Sequence, residues 1–298
     1  MNEFKSGFVH VLGRANVGKS TFINGIMGEK INITSEKPQT TRNRVRCIYE
    51  EERGQIVFLD TPGFYRTVDA LSKKLLGEAR KALKGSDIIL YMVEPWGEVS
   101  REEGATLEKL AGSEGLKMLL VNKIDKFDPG RVAETLAAYS SYGEREIFEE
   151  YIPVSALAGD GLGLVLDKVF ELLPEGERLF PEGTKVDRPL EFLVAEFVRE
   201  KVYQLTYQEI PYSVAARTRE IDKREGEGLV EIYVDLYVTR QSQKGILIGK
   251  GGSMIKEIGR QAREDLEDLL GVKVYLDLKV KVERGWKEDE GKVEKLNF

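Results

Sequence analysis

Gly13-Arg14-Ala15-Asn16-Val17-Gly18-Lys19-Ser20, followed by Thr21, has the composition of a phosphate cradle. Glycines at 13 and 18 let backbone N–H groups turn inward onto anionic oxygens, and a helix that starts behind them presents its positive end to the same charge. Lys19 has the reach to meet the outer phosphates of a nucleoside triphosphate, and the Ser20 hydroxyl is a hard oxygen ligand for magnesium. Asp60-Thr61-Pro62-Gly63 can supply a carboxylate that holds the metal through water and a Gly63 N–H directed at a terminal phosphate. Asn122-Lys123-Ile124-Asp125 adds a carboxylate able to accept from both N1–H and the exocyclic amine of guanine. Adenine lacks that donor pair and would leave Asp125 unmatched, which argues against reading the chain as an ATP-using P-loop kinase or ATPase. Ser155-Ala156 brings a further N–H, from Ala156, to the level of guanine O6.

These residues need strands to end beneath them. Apolar runs at Gly7–Leu12, Gln55–Leu59, Asp87–Val93, Leu116–Val121 and Tyr151–Val154 are bounded by Gly, Asp, Asn or Pro. They are nearly continuous rather than alternating, as strands buried on both faces require. Helical patterns lie between them at Thr21–Met27, Ala70–Leu83 and Arg131–Tyr139. Strand alternating with helix predicts an α/β fold, a mostly parallel sheet wrapped by helices, with ligand at the carboxyl ends of the strands. Lys37-Pro38-Gln39-Thr40-Thr41-Arg42 carries neither period. A threonine hydroxyl there, Thr41 in preference to Thr40, can complete a magnesium shell only while the γ-phosphate is present, so the segment is expected to act as a switch. The catalytic set read from sequence is Lys19, Thr41 and Gly63.

The chain has 298 residues, net charge −6, 41% hydrophobic and 32% charged residues, enough for two cored domains. Its acidic balance confines nucleic-acid contact to a local basic patch. Cys47 is the single cysteine and His10 the single histidine, which excludes an internal disulfide and a cysteine zinc site. Cys47 is expected to be a small half-buried side chain and His10 a packed strand residue. A reducing cytoplasm fits, and neither a secretory leader nor an 18-residue apolar run is read in the sequence.

Leu173 to Pro189 is rich in proline and glycine and divides the chain into residues 1–178, a linker at 179–188, and residues 189–298. Beyond it the expected order is helix (Leu190–Thr206), strands (Ser213–Asp222 and Leu229–Val238), helix, the loop Gly249-Lys250-Gly251-Gly252, helix (Met254–Leu270) and strand (Val272–Val282). A Gly-x-x-Gly loop between two helices lets a sugar-phosphate chain approach the backbone, with Lys250 on a phosphate. Between 244 and 263 stand Lys244, Lys250, Lys256, Arg260 and Arg263 against Glu257 alone. Ile246, Ile248 and Ile255 have the chemistry of a floor for unstacked bases and equally that of core. Lys244, Ile248, Gly249, Lys250, Gly251, Gly252 and Lys256 are the expected RNA contacts. Trp286 is compatible with stacking on RNA or with packing.

With these motifs, and with Gln39-Thr40-Thr41-Arg42, Ser155-Ala156-Leu157 and Ile248-Gly249-Lys250-Gly251-Gly252, the sequence resembles the Era family of bacterial GTPases over nearly its whole length. The resemblance implies a Ras-like P-loop GTPase domain followed by an α+β prokaryotic-type (type II) KH domain. It further implies GTP/GDP and Mg2+ at the motif residues, with Ser20 and Thr41 as metal ligands. The implied partner is the 3′ end of 16S ribosomal RNA in small-subunit assembly, the implied location cytoplasmic with peripheral contact at the inner membrane, and the expected state monomeric. Phe64 stands where Ras-like enzymes carry a water-orienting glutamine, so hydrolysis is expected to be slow alone, or the water to be placed by backbone, a second water or a partner. Asn16 matches related GTPases that use potassium in place of an arginine finger. The competing reading is a membrane-linked switch without RNA readout.

Overall fold

The computed structural model describes residues 4–34, 45–60, 85–144, 146–224 and 228–296. The expected helix at Ala70–Leu83, the segment Lys37–Arg42 with Thr40 and Thr41, and Thr61, Pro62, Gly63 and Phe64 lie outside the described residues. The described residues fall into two compact units. One is drawn from 4–32, 45–60 and 85–187, and the other from 188–296 together with Ile33 and Thr34.

The first unit runs β1 (Lys5–Gly13), α1 (Lys19–Met27), β2 (Val45–Glu51), β3 (Gly54–Asp60), β4 (Ile88–Val93), α2 (Arg101–Ala111), β5 (Leu116–Val121), α3 (Pro129–Ser140), β6 (Glu150–Pro153) and α4 (Leu162–Leu172). The sheet order is β2-β3-β1-β4-β5-β6. Among the described strands of this sheet only the β2/β3 pair is antiparallel. Every residue of β3 and β4 is buried, which is why these runs read as continuously apolar. The chain moves to one side of β1 for β3 and to the other for β4, so the carboxyl ends of these strands open a crevice at the switch point. Ser100 and Glu103 form a capping box that starts α2, and Asp128 with Pro129 starts α3. His10 and Cys47 are both fully buried, and burial pushes the Cys47 thiol far above its ordinary pKa, leaving it unreactive.

The proline- and glycine-rich stretch is seated on the first unit. Gln55, itself 0% exposed, accepts from the N–H groups of Leu179 and Phe180, both at 2.9 Å, and donates to the Phe180 carbonyl at 3.0 Å. Phe180 packs beside Ile48, Val57 and Leu59, and Val186 bridges to Cys47 on β2. A buried glutamine thus satisfies backbone that composition alone assigns to a free connector.

The second unit runs α5 (Leu190–Leu205), a single helical turn (Ile210–Ser213), β7 (Ala215–Arg224), β8 (Leu229–Val238), α6 (Gln241–Ile248), α7 (Ser253–Leu270), β9 (Lys273–Val282) and α8 (Glu290–Lys295). The sheet is β7-β8-β9, antiparallel then parallel. Its core joins Val194, Phe197 and Val198 of α5 and Ile258 and Leu266 of α7 to Ile232, Val234 and Leu236 of β8. Trp286 packs and does not stack outward: it is 0% exposed and donates from Nε1 to the Ser213 carbonyl at 3.2 Å.

Candidate nucleotide site and nucleic-acid groove

The phosphate loop, Asp60, the segment 122–125 and Ser155–Ala156 meet at the strand ends. Gly13 closes β1 with φ 150°, and a Cβ there would lie 2.3 Å from the Met92 carbonyl oxygen. Gly18 has φ 107°, and its Cβ would lie 2.2 Å from Asn122 Nδ2. The loop is therefore built around glycine at both positions, with Asn16 also left-handed at φ 65°. Arg14, Ala15 and Asn16 are exposed, whereas Val17 is buried. Arg14 pairs with Glu102 on α2 at 2.9 Å. Thr21 lies half-buried one residue beyond Ser20.

Lys19 is 8% exposed and donates to the carbonyls of Gly13 and Arg14 at 3.1 and 2.8 Å. Burial lowers its pKa from 10.5 to about 8, a fall that the Asp60 carboxylate partly opposes. The charged form is disfavoured in the fold, so its cost is present below about pH 8 and fades as pH rises toward 10.5. Ser20 Oγ donates to Asp60 Oδ2 at 2.8 Å. A hydroxyl and a carboxylate this close give two hard oxygens suited to magnesium and its bound water.

Asn122 is 1% exposed and joins two loops. Its Nδ2 donates to the Val17 carbonyl at 2.7 Å, and its Oδ1 accepts from the Ala156 N–H at 2.9 Å. The Ala156 N–H expected to meet guanine O6 is thus engaged by Asn122. Buried Ser155 donates from Oγ to Asp125 Oδ1 at 2.6 Å, fixing a carboxylate that is otherwise exposed. Lys123 adopts φ 66° and donates to the Asn16 carbonyl at 2.8 Å, and its ammonium also pairs with Glu94 Oε1. Glu94 escaped sequence reading, although an acid directly after the apolar run of β4 was its available signal. Trp96, two residues on, is half exposed and edge-on to Phe127 at 5.9 Å.

In the second unit, Gly249, Gly251 and Gly252 have φ 72°, 60° and 81°. A Cβ on Gly249 would lie 2.8 Å from Met254. Lys250 and Lys256 are exposed, and Lys244 is half-buried. Beside the loop lies a groove of about 600 Å3 between α7 and β9, with Ile255, Lys256 and Arg263 on the helix and Val274, Leu276 and Leu278 on the strand. Ile248 and Ile255 pack against the core edge, and Ile246 is half exposed. Arg260 also lines the groove and is held by Glu257 and Glu264 at 2.7 and 2.6 Å. The β9 wall was not anticipated as a ligand surface: its alternation was legible, but its position opposite α7 is a tertiary fact.

The chain matches known families in both units. Residues 8–123 match the family described as 50S ribosome-binding GTPase, and residues 209–287 match the KH domain. The chain is 43% identical over 297 residues to GTPase Era of Geobacter metallireducens, covering 100% of this chain and 99% of that protein. The chain belongs to the GTPase Era family. Era of Thermotoga petrophila is 47% identical over 287 residues, covering 96% and 94%. A crystal structure of Era in complex with MgGDPNP and nucleotides 1506–1542 of 16S ribosomal RNA superposes with TM-score 0.92 at 36% identity, covering 99% of each chain. A point variant of Aquifex aeolicus Era bound to GDP·AlF4− gives TM-score 0.92 at 35% identity, again covering 99% of each. The fold is accordingly that of an Era GTPase, a P-loop GTPase domain with a C-terminal KH domain.

Phosphate oxygens brought to the loop restore the Lys19 pKa, so nucleotide binding should take up protons above about pH 8. Calorimetry of GDP binding in two buffers of different ionisation enthalpy should show a substantial fractional uptake near pH 8.5 and little near pH 7. Equal uptake at both would mean that Lys19 is not the linked group. For the base, Asp125→Asn should weaken GTP and gain xanthosine triphosphate, since an amide matches the altered base edge. The discrimination lost is expected to be at least about a hundredfold, as for other sites that leave a polar partner unmatched. Competition binding against a fluorescent guanine nucleotide checks it, and unchanged GTP affinity would remove Asp125 from the base site.

Proposed function

We propose that this GTPase binds the single-stranded 3′ end of 16S ribosomal RNA through the groove beside Gly249-Lys250-Gly251-Gly252 and acts in assembly of the small ribosomal subunit. The observation that carries the reading is one chain holding both an Asn122–Asp125–Ser155 guanine frame and a glycine loop that leads directly into the helix walling an apolar, basic-edged groove. Two small glycines admit a sugar-phosphate backbone, apolar strand residues face unstacked bases, and Lys250, Lys256 and Arg263 offer charge to phosphates. The solved Era complex with 16S nucleotides 1506–1542 supports the same class of ligand.

In the first unit, residues 1–178, Lys19 and the backbone of 13–18 position the phosphates, while Ser20, with Thr41, would hold magnesium. Bound magnesium would bridge phosphate oxygens and offset the charge that develops on transfer to water. Gly63 serves the terminal phosphate, and Phe64 leaves water to be oriented by backbone or by a partner. Residues 179–188 connect this unit to an RNA unit at 189–298. The protein works as a cytoplasmic monomer. Among the described residues no helix is long and apolar enough to cross a membrane, so contact with the inner membrane would be peripheral.

Asn16 places an amide beside the phosphates in the manner of potassium-using GTPases. Turnover should therefore be several-fold faster in potassium than in sodium chloride at matched ionic strength, and equal rates would discard the ion.

Gly251→Asp should put a carboxylate at the mouth of the groove, where its added Cβ meets open space. Binding of a 16S 3′-end oligonucleotide should drop by at least about tenfold with GDP affinity unchanged. The same RNA titrated against GTP-analogue and GDP forms should show different affinities if the switch acts on the KH unit, with reciprocal change in nucleotide affinity. Undiminished RNA binding by Gly251→Asp, alongside lost binding to anionic vesicles, would favour the membrane-linked reading.

A further inference from the structure

All helices of the second unit's core pack on one face of β7-β8-β9. The residues of β8 and β9 that alternate with that core, among them Glu231, Tyr233, Asp235, Tyr237, Tyr275, Asp277, Lys279 and Lys281, form the opposite face. A solvated sheet face needs no aromatics, yet three tyrosines stand on this one. Tyr233 and Tyr275 meet across the β8/β9 pair with ring centroids 6.3 Å apart. The β7/β8 register shifts between Thr218 and Glu220, and the inserted Arg219 lays its guanidinium over Tyr233 at 5.2 Å. Bulges commonly re-aim a side chain in this way.

Charge on the face is layered. Asp235 is sunk into the sheet with its side chain 6% exposed, covered by Lys281 at 2.6 Å and Arg219 at 3.9 Å. Lys281 is 47% exposed, and Lys279, paired with Asp277 at 3.7 Å, is 55% exposed. Aromatics and cations both meet solvent here, beside the acids Glu220, Glu231 and Asp277, and aromatic with cation is the pairing that takes bases by stacking and phosphates by charge. An open sheet with exposed aromatics is also how some RNA-binding folds stack two or three bases.

The face is continuous with the groove. β9 is an edge strand whose inner side forms one groove wall, and Tyr275 borders the groove while its ring lies against Tyr233. A KH loop clamps roughly four nucleotides, so a longer strand must leave the groove, and over β9 it meets Tyr275 first.

We propose that the open face of β7-β8-β9, centred on Tyr233, Tyr275, Arg219 and Lys279, is a second contact surface for single-stranded RNA, receiving the stretch that continues beyond the groove. It rests on the RNA reading above and extends it to a surface that the glycine loop does not touch.

The test compares full-length protein with Tyr233→Leu/Lys279→Ala, neither of which lines the groove, using 16S 3′-end oligonucleotides of about 6 and about 25 nucleotides. The double variant should bind the short RNA as the wild type does and lose about tenfold on the long one, with a shallower salt dependence. Wild type should also crosslink through Tyr233, which does not line the groove, only to the long RNA. Equal affinity of variant and wild type for the long RNA would overturn the proposal, as would parallel loss on both lengths. If wild type binds the short RNA but gains nothing from the added length, the second surface falls and the groove reading stands. If wild type binds neither RNA, both readings fall. Loss of binding to phosphatidylglycerol vesicles with intact long-RNA affinity would make the face a lipid contact and refute the RNA assignment.

Discussion

The nucleotide site depends on one buried carboxamide. Asn122 ties the phosphate loop, through the Val17 carbonyl, to the Ser155–Ala156 loop, through the Ala156 N–H. Both partners are main-chain groups enclosed in protein, and leaving such a group unmatched costs about 1–3 kcal/mol. The side chain also fills the space above Gly18, so only a residue without Cβ fits there. Lys123, next along the chain, makes a second tie from the same turn to the Asn16 carbonyl. Phosphate cradle and base frame are therefore one braced object, although they come from β1, β5 and β6.

Electrostatics complete that object only when a ligand is bound. The protein holds Lys19 in a buried position with carbonyls as its donors' partners, a setting that works against its own charge. The same burial strengthens its attraction for phosphate, because little water remains to screen the pair. Asp125 shows the complementary design. It is exposed but pinned by Ser155, so the base itself supplies the desolvation that makes the match selective.

Much of this was legible in sequence because glycine, lysine and carboxylate requirements are local. The buried parallel strands announced themselves as unbroken apolar runs, and β3 and β4 are enclosed along their full length. β2 did not, because an edge strand alternates: Arg46 and Tyr49 interrupt Val45, Cys47 and Ile48. Glu94 was hidden because its worth lies in reaching Lys123, 29 residues away. The groove wall on β9 was hidden because alternation states which residues share a face but not what lies opposite. The seat of residues 179–187 on β2 and β3 was hidden because proline and glycine mark where a chain turns, whereas Gln55 decides where it docks.

Only two tryptophans occur, and the fold gives one to each unit in contrasting surroundings. Trp96 is half exposed beside the base-recognition turn, while Trp286 is fully buried in the KH unit with its Nε1 donating to the Ser213 carbonyl. The indoles differ in polarity and in access to dissolved quenchers, so their emission separates into a quenchable long-wavelength part and a protected short-wavelength part. The protein thereby carries a native optical readout in which nucleotide events and melting of the RNA unit register on different chromophores, without any label.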